Sequence, residues 1–223
     1  MSEITIAYEK PQEDKVIETA KRKALAVIGE SFIVDWSTPG YEVAKGHFGE
    51  LTQRFCSLFK SDFTSQKHLH STILSKRLDR TVDLDAEQGG WWKDSSFSET
   101  RTCFESHLSS FVLSLDSLRL AGAGTVQLVL RDNIALPRIR MHLKHLGASV
   151  KAGTIKGDFV NTCTVVLGYF SQVPKKMPAK KNIQSLFENW CQHFPREGLQ
   201  VHTVSLVRYF DLSLDKYVNI QRF

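Results

Sequence analysis

Between residues 111 and 170 the chain alternates. In FVLSLDSLRLAGAGTVQLVLRDN, apolar side chains alternate through most of two stretches, 111–118 and 125–132, and the same period returns in FVNTCTVVLGYF, 159–170. A period of two sends successive side chains to opposite faces, so each stretch reads as a strand with one buried side. The interruptions are short, built from Gly, Asn or Pro, and leave little room for the crossover helices of a parallel sheet. LQVHTVSLVRYF (199–210), YVNIQRF (217–223) and RIRMHLKHL (138–146) fit the alternation too. The pattern predicts a mainly β fold, an antiparallel barrel or sandwich. LAGAG is a tight turn whose small residues let two strands approach; it leads into a strand, so it lacks the helix N-terminus of a nucleotide-binding glycine loop.

The first third differs in kind. DKVIETAKRKALAVI (14–28) spaces Ile17, Ala20, Ala24, Leu25 and Ile28 as one helix face, with Asp14 as cap and Gly29 as stop. SFIVDW reads as a short strand ended by the turn STPG, and HFGELTQRFCSLFK sets Phe48, Leu51, Phe55 and Leu58 along a second helix. STILSKRL (71–78) and RTVDLD (80–85) are candidate strands, and 86–101, with Gly89, Gly90, Trp91 and Trp92, has loop composition. Those two tryptophans either stack on a ligand or pack beneath their own loop. One further helix is expected at 183–194, with Ile183, Leu186, Phe187, Trp190 and Cys191 in a stripe ending before Pro195. The expected organisation is a helical N-terminal segment over 1–65 and a β-rich core over 66–223.

A chain of 223 residues that is 42% hydrophobic can fill a core, and its net charge of +5 and pI near 9.0 suggest an anionic partner. Cys56, Cys103, Cys163 and Cys191 lie far apart without a Cys-x-x-Cys pair, which excludes a zinc-finger arrangement and reads as reduced thiols inside a cell. The N-terminal stretch has no signal-peptide pattern, and no apolar run is long enough to span a bilayer. His68, His70, His107, His142, His145 and His202 could supply ligands or bases, yet none sits in a metalloprotease or hydrolase motif. No metal, cofactor or catalytic residue is expected.

The charge is concentrated. From Arg131 to Lys181 there are ten lysines and arginines against two acids, Asp132 and Asp158. As a strand, 138–146 would set Arg138, Arg140, His142 and Lys144 on one face, and like charges so placed repel unless an anion neutralises them. In VPKKMPAKKN, Pro174 and Pro178 hold Lys175, Lys176, Lys180 and Lys181 out on a loop. Together these eight residues are the expected nucleic-acid-binding track, taking phosphates without reading bases.

From LSSFVLSLDSLRLAGAGTVQLVLRDN through RIRMHLKHLGASV and FVNTCTVVLGYF to LQVHTVSLVRYFDLS, the order of strands resembles plant-virus cell-to-cell movement proteins, the 30K superfamily, most nearly its short tombusvirus-like members. The likeness covers roughly residues 107–215, with Asp132 at the place of the family's signature aspartate. It implies a jelly-roll-like β-barrel and a non-enzymatic protein. Such a protein coats single-stranded viral RNA, associates with itself and with host membrane or plasmodesmal proteins, and acts in the host cytoplasm and at plasmodesmata. The alternative in another class is a viral structural protein, a jelly-roll coat subunit or a matrix protein.

Overall fold

The computed structural model describes residues 5–24, 26–77, 97–146, 161–211 and 217–223. Its strands are β1 (Thr5–Tyr8), β2 (Ala26–Asp35), β3 (Phe63–Ser65), β4 (His70–Arg77), β5 (Val112–Leu120), β6 (Thr125–Arg131), β7 (Thr162–Phe170), β8 (Leu199–Gln200), β9 (Ser205–Asp211) and β10 (Tyr217–Arg222). Between them lie α1 (Glu13–Ala24), α2 (Glu42–Phe59), α3 (Phe97–His107), α4 (Ala135–His145) and α5 (Lys180–Cys191).

The strands form one mixed sheet in the order β1-β5-β6-β7-β4-β2-β9-β10, with β3 on β7 and β8 on β5. Among the described residues only β1 on β5 is a parallel pair; the other ladders are antiparallel. β1 and β10 end the order as separate edges, so the sheet is open and the expected closed barrel does not form. The reason is what covers the sheet. Helix residues Phe48, Leu51, Phe55, Phe104, Leu136, Ile139, Ile183, Phe187 and Trp190 share one core with strand residues Phe32, Val34, Leu118, Leu128 and Val165. Helices thus supply the layer that a second sheet supplies in a sandwich, and no closure is needed to bury the apolar face.

Alternation was a sound guide where strands are flanked by polar turns. In β6, Val126, Leu128 and Leu130 are fully buried while their neighbours are half-buried. The β5–β6 hairpin turns at 121–124, where Gly124 has φ 80° and a Cβ would come within 2.8 Å of Val16. α2 buries Phe48, Leu51 and Phe55, as its spacing predicts.

Several expectations fail. α1 ends at Ala24, four residues early, because 26–35 enters the sheet between β4 and β9; Val16 is buried and Ile17 exposed. The N-terminal segment is not helical alone, since β1, β2 and β3 all join the sheet. The end of the expected loop, from Phe97, opens α3, while 80–85 and the tryptophans at 91 and 92 lie outside the described residues. In 199–210 the strand is interrupted between β8 and β9. The largest correction concerns 138–146, which is no strand but the body of α4.

α4 forms because Asp132 caps it. Oδ1 accepts the amides of Ile134 and Leu136 at 2.8 and 3.0 Å, while Oδ2 accepts the Val112 amide of β5 at 3.1 Å. Leu136, Ile139 and Leu143 then fall on one side at full burial.

Candidate functional site

β7 and β4 meet at a single bridge, Ser71 with Val165, and the sheet splits there into two arms. Carbonyls on the diverging strands lose their ladder partners, and a buried carbonyl without a donor is costly. Arg140 fills the gap. Its Nε donates to the Ile73 carbonyl at 2.7 Å, its Nη1 to that of Thr162 at 2.7 Å, and its Nη2 to that of Thr72 at 3.4 Å. The residue is 9% exposed, and burial lowers the pKa of its guanidinium below the usual arginine range. Arg140 is therefore a structural brace and is removed from the expected track.

The rest of that basic face is dispersed by the helix. Two residues on a helix are about 200° apart, so Arg138 and Arg140 leave α4 on opposite sides. Arg138 is exposed. His142 is half-buried against α3, with its Nε2 buried and without a hydrogen-bond partner. Lys144 belongs to α4, but its side chain lies outside the described residues. Asp132, read as a signature residue, acts here as a helix cap tying β5, β6 and α4 together.

Of the four lysines expected on a loop, Lys175 and Lys176 precede α5, while Lys180 and Lys181 belong to its first turn. Lys175, Lys176, Lys180 and Lys181 are all exposed, and none forms an ion pair with a described residue. Their loop is pinned: Pro174 is buried, and Val173 and Met177 pack on the core. Lys180 and Lys181 open α5, whose first turn holds no acid and whose N-cap, Ala179, offers no side-chain acceptor. Cations at the positive end of a helix dipole repel it. α1 shows the ordinary arrangement, with Glu13 and Asp14 first and Lys21, Arg22 and Lys23 last. An anion set between the lysines and the first-turn amides of α5 relieves both conflicts.

A second polar cluster lies at the far end of β2. Ser71 and Val165 face the core, so the alternating neighbours His70, Thr72, Thr164 and Val166 turn to the opposite face, where all four are half-buried. His70 sits across from Asp35 in the β2–β4 ladder. Asp35, 6% exposed, accepts the Tyr217 hydroxyl at 2.7 Å and the Ser37 amide at 2.9 Å. His68 stands edge-on to the Tyr217 ring at 5.7 Å, and the His70 Nδ1 lies 3.0 Å from the His68 carbonyl. Burial, then the Asp35 carboxylate, pushes the Tyr217 hydroxyl far above its ordinary pKa. No local signal in the sequence joins Asp35 to Tyr217; only the ladder order does. Among the described residues, no three His, Cys, Asp or Glu side chains are placed to hold a metal ion, and no helix is long and apolar enough to cross a membrane.

No protein-family model and no curated protein matches the chain. Its fold is similar to a crystal structure of a conserved protein of unknown function from Agrobacterium tumefaciens, with a TM-score of 0.60 at 12% sequence identity, covering 96% of this chain and 93% of that one. This is a likeness of fold.

Proposed function

We propose that the chain binds single-stranded nucleic acid through its phosphates, without sequence preference, in the passage of a viral genome between cells. The observation that carries the binding is the exposed set Lys175, Lys176, Lys180 and Lys181 on a pinned loop at the uncapped start of α5. Phosphates neutralise such a set whatever the bases, releasing counterions as they do so. The cellular setting rests on the sequence resemblance to movement proteins alone, and the basic strand of that resemblance is helix α4 here. Filter binding of a single-stranded RNA across a salt series tests the reading. Log affinity should fall linearly with log salt, by about 0.7 per phosphate engaged. Affinity that is absent at low salt, or unmoved by added salt, overturns it.

A second reading is favoured by the cluster beside the strand split. An imidazole, His70, stands across from a buried carboxylate, with the Thr72 and Thr164 hydroxyls on the same half-buried face. Such groups serve general acid–base chemistry. If the bound RNA is cut over time by wild-type protein and left whole by His70→Ala, the chain is an enzyme and the movement reading gives way.

A further inference from the structure

Ser98, Glu99, Thr102, Cys103, Ser106 and His107 of α3 line a groove of about 340 Å³ that His142 of α4 completes. The groove runs along two turns of α3, about 12 Å from Ser98 to Ser106 at 1.5 Å per residue. Its two ends differ in chemistry. At one end stand His107, His142 and, flanking them, Arg138; no carboxylate among the described residues forms an ion pair with any of the three. The His142 Nε2 is closed to solvent with no hydrogen-bond partner among the described residues, so the ring meets the groove through its other atoms. At the other end stands the Glu99 carboxylate. Between them, the Thr102 hydroxyl donates to the Ser98 carbonyl at 3.1 Å and the Ser106 hydroxyl to the Thr102 carbonyl at 2.7 Å, which turns both oxygens into acceptors toward the groove.

We infer that this groove binds a small phosphomonoester with a hydroxyl-bearing body, of the size of a pentose phosphate. The phosphate lies against Arg138, His107 and His142, and the ligand hydroxyls donate to Thr102, Ser106 and Glu99. The volume falls in the range of small-molecule sites. Burial first, then Arg138 and His142, lowers the His107 pKa, and an anion bound beside the ring would act in the opposite direction. The inference does not rest on the lysine loop.

The probe is ribose 5-phosphate, with inorganic phosphate and ribose as controls, followed by calorimetry and by the imidazole ¹H–¹⁵N signals of the intact chain. Ribose 5-phosphate should bind more tightly than either control and shift the His107 and His142 signals selectively. It should also raise the His107 titration midpoint. Arg138→Ala, at an exposed position, should weaken binding by about tenfold, the loss of one charge-assisted contact. The variant lacking Lys175, Lys176, Lys180 and Lys181 should bind it unchanged, which separates this site from the RNA surface. Equal binding of ribose 5-phosphate and inorganic phosphate, shifts spread over all histidines, or an Arg138→Ala variant that binds as wild type each overturns the inference.

Discussion

The Nε of Arg140 on α4 donates to the main-chain carbonyl of Ile73 on β4 at 2.7 Å, and through this contact a helix side chain holds open the arms of a split sheet. The bond reaches across 67 residues of sequence to a strand that α4 does not neighbour in the chain. It is the reason a residue expected to greet RNA is instead enclosed. Arg140→Met, which keeps the alkyl stem but no donor, should remove the donors to the buried Ile73 and Thr162 carbonyls and to the part-buried Thr72 carbonyl. It should cost about 3 kcal/mol in urea unfolding, with little direct effect on RNA affinity. Loss of RNA binding without loss of stability would return Arg140 to the track.

Asp132→Ala should destabilise by about 1–2 kcal/mol, since one carboxylate caps α4 and also holds the Val112 amide. Asp132→Asn keeps one acceptor oxygen and should cost less. Thermal unfolding of the two variants checks the order; equal and negligible effects would mean the cap does not set the helix.

The Tyr41 hydroxyl accepts the amides of His202 and Thr203 at 2.8 and 2.9 Å and donates to the Thr203 carbonyl at 3.1 Å, bracing the segment between β8 and β9. Tyr41→Phe strands those groups, and about 2 kcal/mol should be lost. Hydrogen exchange should show the His202 and Thr203 amides opening first, ahead of the β9 ladder.

Burial raises the thiol pKa of Cys103 and Cys163 to about 11 and that of Cys191 to about 12. Few thiolates exist in the folded chain at pH 8, so alkylation of these three should be slow until urea unfolds it. The unfolded thiol ionises near the ordinary value of 9.0 while Cys163 in the fold holds its proton to about 11. Stability is therefore whole below pH 9 and falls as pH rises between those values. Urea midpoints that stay level from pH 8.5 to 10.5 would contradict this.

Replacing Lys180 and Lys181 with Glu places acids where the α5 dipole favours them. Each exchange should raise stability by about 0.5 kcal/mol while RNA binding weakens uniformly across sequences. A gain in stability with unchanged affinity would show that the lysine loop is a solvated surface and no binding site.

The sequence by itself determined the elements whose local pattern admits one answer. β6 buries every second residue, α2 buries Phe48, Leu51 and Phe55, and the hairpin at Gly124 needs a residue free to take positive φ. Tertiary structure decided the rest. In LPRIRMHLKHL (136–146), alternate residues from Arg138 to Lys144 are basic, but Leu136, Ile139, Arg140 and Leu143 also recur at helical spacing, so both periods are present in the same letters. The Asp132 cap and the burial of Leu136, Ile139 and Leu143 in the core settled it, and the strand split drew Arg140 inward. The pairing of Asp35 with Tyr217 and the meeting of His107 with His142 come from separate elements brought together by ladder order and helix packing. A side chain's partners depend on what burial and unpaired carbonyls demand of it, and those demands exist only once distant segments have met.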